Sequence, residues 1–155
     1  MADEGAGILD ERTENAALGA ALAAEHAAIW GYGVVGAALD VGSQALARSS
    51  ETAHRDVRDE LVALLTGRGA EPAGAEGGYT LPFPVLSATD AAALAVVLED
   101  GVTAAWVRVL DQSAERSTRE LAVRTLSAAE VRAVGWRAAA GQSPATRAMP
   151  GLASG

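Results

Sequence analysis

The chain has 155 residues, room for one domain whose core buries about two-thirds of the extended surface. Half of the residues are hydrophobic and only 4% are aromatic, so the core must be built from Ala, Leu and Val in closely approaching helices, which points to an all-α fold. Twelve basic against twenty acidic residues give a net charge of -8 with no Lys/Arg-rich block, which argues against nucleic acid as a partner; the absence of cysteine removes disulfides, thiolate nucleophiles and zinc-thiolate sites.

The first twelve residues are acidic and polar and lack the basic-then-apolar pattern of a secretory signal, so they are expected to form a polar arm. Helix 1 is expected over 13–39, with Asp10 or Thr13 as N-cap and Glu14 favouring its dipole. Leu18, Leu22, Ile29, Tyr32 and Leu39 recur at steps of three and four, and Glu25 falls on the same apolar stripe. An ionised Glu on a buried stripe costs several kcal/mol unless it is paired or ligated. Gly31, Gly33 and Gly36 weaken an isolated helix and are expected to serve close helix contact. Glu25 and His26 interrupt the apolar run, so no membrane span is expected, and the protein reads as cytoplasmic.

A short turn, DVGS, leads to helix 2 over 43–67, with Ala47, Ser50 or Glu51, His54, Val57, Leu61 and Leu64 as its stripe and Gly67 and Gly69 as its stop. Arg55, Asp56, Arg58, Asp59 and Glu60 read as a solvated salt-bridge face. So short a connection makes helices 1 and 2 antiparallel neighbours.

The Pro- and Gly-rich stretch 69–88 cannot be helical, and extended it could reach about 60 Å, against roughly 37 Å for a 25-residue helix. It is therefore expected to cross the whole bundle, with YTLPFPVL pinned along a groove. Ser87 or Thr89 caps helix 3 over 90–112, whose inward residues are Leu94, Leu98, Val102, Trp106 and Val109, with Glu99 on the flank. Helix 4 is expected over 114–139, with Ala122, Leu126, Ala129, Ala133 and Trp136 facing in. The segment 141–155 reads as a non-helical tail in which MPGL docks on the body.

Two helical pairs joined by a long crossover resemble the ferritin-like up-down four-helix bundle. The resemblance implies a di-iron site that takes one Glu from each of two helices and a Glu-x-x-His from each of the other two. Glu25, the Glu51-x-x-His54 pair and Glu99 match that pattern on three helices, and Glu25, His54 and Glu99 each fall near the middle of a helix, at one level of a bundle. Helix 4 departs from it, because Glu115, Glu120 and Glu130 are followed three residues on by Thr118, Val123 and Ala133. AAEHAAIWGYG, AHRDVRDELVALL, YTLPFPV and LEDGVTAAW resemble a bacterial family of small alanine-rich ferritin-like domains, over about residues 15–140 and the tail's MPGL. That resemblance implies the fold and no defined activity.

Several readings of these residues follow. Glu25 and His54 form a buried ion pair inherited from a metal site, or they ligate a single metal, iron or manganese, with Glu99 and Glu51. Tyr32 and His26 stand behind the ligands, Tyr32 as a hydrogen-bond donor to the carboxylate and His26 packed near Trp30. As an enzyme the protein would be a metal-dependent oxidoreductase, with Glu25, Glu99 and His54 as ligands. Alternatively, it is an interaction module, a homodimer or an apolar groove for a small lipid-like ligand, with Trp30, Trp106 and Trp136 lining the cavity or interface.

Overall fold

The computed structural model describes residues 3–153, with side-chain environments from residue 11 onward; residues 1, 2, 154 and 155, the outer ends of the expected arm and tail, lie outside it. Four helices follow one another, α1 (Asp3–Ala38), α2 (Gln44–Gly67), α3 (Ala88–Gln112) and α4 (Arg116–Ala139), and no strand occurs among the described residues. The expected all-α four-helix bundle is what forms. One boundary differs strongly: α1 begins at Asp3, not near Thr13, so residues of the expected arm are helical and neither Asp10 nor Thr13 is its cap.

The local stop signals work through identifiable contacts. Asp40 accepts from the backbone of Ser43 at 2.8 Å in the turn before α2. Gly69 adopts φ +71 just past α2, a left-handed conformation that glycine takes without strain, and this lets Ala70 N–H reach back to Leu65 at 2.9 Å. Before α3, Ser87 accepts from Asp90 N–H at 3.1 Å while Asp90 accepts from Leu86 N–H at 3.0 Å, a reciprocal cap that selects Ser87 over Thr89.

Cross-helix contacts fix the topology. Glu14 meets Arg68 and Glu25 meets His54 across α1 and α2; Glu25 meets Trp106 and Tyr32 meets Glu99 across α1 and α3; Glu99 meets Arg132 and Leu110 meets Arg119 across α3 and α4. In each set one number rises as the other falls, so all three neighbouring pairs run antiparallel. It follows that α2 and α3 point the same way, and the crossover must return along the whole bundle. Along its path Tyr79 lies against Trp30 with ring centres 5.6 Å apart, and Leu81, Phe83 and Val85 pack on the core near Tyr32 and Leu94. Between α2 and α4, Arg124 and Glu60 bridge the gap with bonds of 2.8 Å.

A small residue serves helix contact at one place. A Cβ on Gly31 would lie 2.6 Å from the end of Leu98, so the glycine leaves room for that side chain of α3 against α1; Gly33 faces open space and does not serve the contact expected of it. The tail packs as anticipated, with Gly151 (φ +78) against Thr103 and Val107 of α3, and buried Arg137 holding Ala145 O at 3.0 Å.

Glu14 does something other than favour the start of its own helix. It is buried mid-helix, accepting from Arg68 and Thr118 at 2.7 Å on one oxygen and from the backbone of Ala114, at the turn into α4, at 3.0 Å on the other. Burial raises its pKa, but the bonds to Thr118 and Arg68 outweigh that and hold it below the ordinary 4.5.

Candidate functional site

The core is divided into two apolar halves. One gathers Leu18, Leu22, Leu61, Trp106 and Val109, the other Tyr32, Val35, Leu94 and Trp136. Glu25, His54 and Glu99 are joined to both halves, all three fully buried. Periodicity put Glu25 and His54 on inward stripes, and they are there. Glu99, expected on a flank, is also fully inside, because α3 is buried on a broad face that includes Val96, Glu99 and Thr103 as well as Leu94 and Val102.

His54 is wedged between the two carboxylates. Its Nδ1 meets Glu25 Oε2 at 2.6 Å and its Nε2 meets Glu99 Oε1 at 3.1 Å. Glu25 Oε1 accepts from the indole Nε1 of Trp106 at 2.9 Å. The other end of the line is crowded: Glu99 Oε1 also accepts from the Tyr32 hydroxyl at 2.5 Å and from Arg132 Nε at 2.8 Å, while Glu99 Oε2 has no partner among the described residues. The Tyr32 ring lies near-parallel to the His54 imidazole, with centres 5.4 Å apart.

These contacts set the charges. Burial would lower the His54 pKa, yet the hydrogen bonds to Glu25 and Glu99 and their charges raise it from 6.5 to about 9, so the ring is an imidazolium at neutral pH and both nitrogens donate. Burial pushes the Glu99 carboxyl up, but His54 and Arg132 hold it below the ordinary range. Tyr32 is driven above the usual phenol range by burial and by the neighbouring Glu99 charge, and stays a donor. Two carboxylates therefore face one imidazolium and one guanidinium, and the buried charges cancel.

The remaining expected residues lie elsewhere. Glu51 does not join the centre: Ser50 takes the buried position on α2, and Glu51 sits on its flank, a quarter exposed, bonded at 2.5 Å to Arg55. It lines an opening of about 230 Å³ with Tyr32 and Arg48. His26 reaches the crossover, its Nε2 3.0 Å from Ala73 O, and has no part in the centre. Trp106 and Trp136 are core residues, while Trp30 is half-buried. Two members escaped the sequence reading. Trp106 reads as an apolar inward residue, though a buried indole nitrogen usually finds an acceptor. Arg132 lies between Ala129 and Trp136 on the edge of the α4 stripe, and that position is the one signal of it.

As placed, the donor set does not converge on a single metal position. An ion would take one imidazole nitrogen, but Glu25 and Glu99 are bonded to different nitrogens on separate edges of the ring, so the two carboxylates and the imidazole cannot converge on one point. Arg132 further occupies the oxygen of Glu99 that faces His54. Among the described residues no group of three or more His, Asp or Glu side chains is disposed to hold a metal ion. What the arrangement does chemically is to hold a proton on each nitrogen of His54 between two fixed carboxylates, and one on Tyr32 against Glu99. No helix among the described residues is long and apolar enough to cross a membrane.

Comparison with known proteins agrees with the architecture. The chain is similar to a conserved hypothetical protein, rv2844, from Mycobacterium tuberculosis, whose crystal structure superposes with a TM-score of 0.80; the two are 38% identical, and the match covers 82% of this chain and 96% of that one. No curated protein matches. Residues 17–154 match the family described as Domain of unknown function (DUF4439), and the chain belongs to that family.

Proposed function

We propose that the protein is a ferritin-like domain whose metal centre has been replaced by a self-neutralised ion network, and that it acts by binding and not by catalysis. The observation that carries this reading is the imidazolium with both nitrogens committed to opposing carboxylates, in a centre whose charges cancel without a further ion. The long crossover and the match of Glu25, His54 and Glu99 to three helices support the ferritin-like descent; the absence of a Glu-x-x-His from α4 supports the loss of ligand capacity. The test is metal content after purification, with melting followed in added iron, manganese and zinc. The expected outcome is no stoichiometric metal and an unchanged melting point. One equivalent bound, with a melting rise that disappears in Glu25→Ala and His54→Ala, would replace this reading with that of a single-metal site and open the oxidoreductase assays.

A surface suited to binding lies beneath the crossover. Trp30, Tyr79, Leu81, Leu94, Val97 and Leu98 line a cavity of about 350 Å³ with no charged side chain on its walls. That size and lining suit a neutral apolar small molecule. Saturable binding of a neutral solvatochromic dye, weakened at least tenfold in Val97→Asp, is the expected result. Val97 is 44% exposed, so the substitution does not place a charge in the core. Equal dye binding by the variant would move the site elsewhere, and a variant that changed oligomer size instead would make this face a dimer interface.

A further inference from the structure

We infer that Arg132 is the resident cation of the buried centre: its guanidinium neutralises Glu99 and seals the centre from solvent, so that this bundle folds around its carboxylates without a bound ion. The inference deepens the reading given above and rests on it for the chemistry of the centre. Glu25 and Glu99 are both fully buried, and the imidazolium between them balances only one of the two. A second buried negative charge left alone would be costly, and the bundle must supply a cation from some helix.

Position singles out α4 as that helix. α1 contributes Glu25 and Tyr32, α2 contributes His54, and α3 contributes Glu99 and Trp106, so the fourth wall is the one still to be filled. There Arg132 reaches inward, its Nε 2.8 Å from Glu99 Oε1, on the same oxygen that binds His54 and Tyr32. Its side chain is 18% exposed while Glu25, His54 and Glu99 are at 0%, so Arg132 spans from the surface to the buried carboxylate. The flanking residues of α4, Ala129, Ala133 and Trp136, carry no charge and cannot substitute for it. Arginine suits the position because it stays protonated when partly buried and its flat head can remain in contact with water beyond the bond to Glu99.

The experiment is a charge-neutralisation cycle read by thermal melting: Arg132→Gln, Glu99→Gln, the double variant and Arg132→Lys, each with and without added manganese or zinc. Arg132→Gln is expected to melt several degrees below the wild type. The double variant should recover most of that loss, because removing the carboxylate's charge removes the need for the cation. Arg132→Lys should fall between the wild type and Arg132→Gln. A purely packing role for Arg132 would predict no recovery, since the side chain is equally absent from the double variant. Arg132→Gln as stable as the wild type, or a double variant no better than the single one, overturns the inference. Should Arg132→Gln fail to fold, recovery of a folded double variant still supports it and failure of both overturns it. Metal binding by the wild type alongside an intact Arg132–Glu99 coupling would sink the metal-free reading and leave the charge role of Arg132 standing, so the two failures are distinguishable.

Discussion

Replacing His54 with alanine should be the most damaging single change in the core, lowering stability by about 3–5 kcal/mol and the melting point by on the order of 10 °C. The reason is the position of the imidazolium between Glu25 and Glu99, at 2.6 and 3.1 Å. Taking it away removes one of the two cations that balance the buried carboxylates and leaves a cavity against Tyr32, whose ring stacks on it. Trp106 would still donate to Glu25 and Arg132 to Glu99, so the loss is partial, not a collapse. Urea unfolding of His54→Ala and of His54→Ala with Glu25→Gln tests the charge argument directly. The second substitution should restore part of the stability, since a neutral amide needs no counter-ion. A loss below about 1 kcal/mol in His54→Ala, within the range of an ordinary surface change, would mean that the network contributes little to folding.

Stability should also fall on the alkaline side, well before arginine or tyrosine chemistry begins. His54 is raised in the folded state to about 9 from 6.5, so its contribution is fully present below pH 6.5 and is lost as pH rises through about 9. A shift of that size corresponds to about 3 kcal/mol. Glu99 and Glu14 act with the opposite sign: both are lowered in the fold, so their contribution is present above the ordinary 4.5 and is lost as pH falls through their folded values. The melting point should therefore be highest between about pH 5 and 6.5 and drop by on the order of 8 °C by pH 9.5. Above pH 10 the raised Tyr32 phenol adds to the decline, because the unfolded chain ionises first. A melting point flat from pH 6.5 to 9.5 in the wild type would sink this account, and His54→Gln should show that flatness by design.

Most of the helices were legible because their signals are local. Apolar residues at steps of three and four, Gly69 after α2, Ser87 with Asp90 before α3, and a Pro/Gly-rich stretch longer than a helix each act within a few residues of themselves. Glu25 and His54 were legible for the same reason, being the polar members of otherwise apolar stripes. Helix ends were less so: the residues before Thr13 read as polar, but nothing in them prevents α1 from continuing back to Asp3.

The sequence by itself determined an all-α chain of two antiparallel helix pairs, a crossover of bundle length, and inward carboxylate and imidazole groups near one level. Only the tertiary structure decided which flank residues join them. A stripe is defined to about one residue, roughly 100° of helix rotation, and that margin separates Ser50 from Glu51 on α2 and a solvated Glu99 from a buried one on α3. Partners distant in the chain are beyond any local pattern. Glu14 bonds Thr118 across 104 positions and Glu99 bonds Arg132 across 33, and both pairings depend on how far α4 turns toward α1 and α3 when the cores close. That rotation is what brings the Arg132 guanidinium of α4 against Glu99.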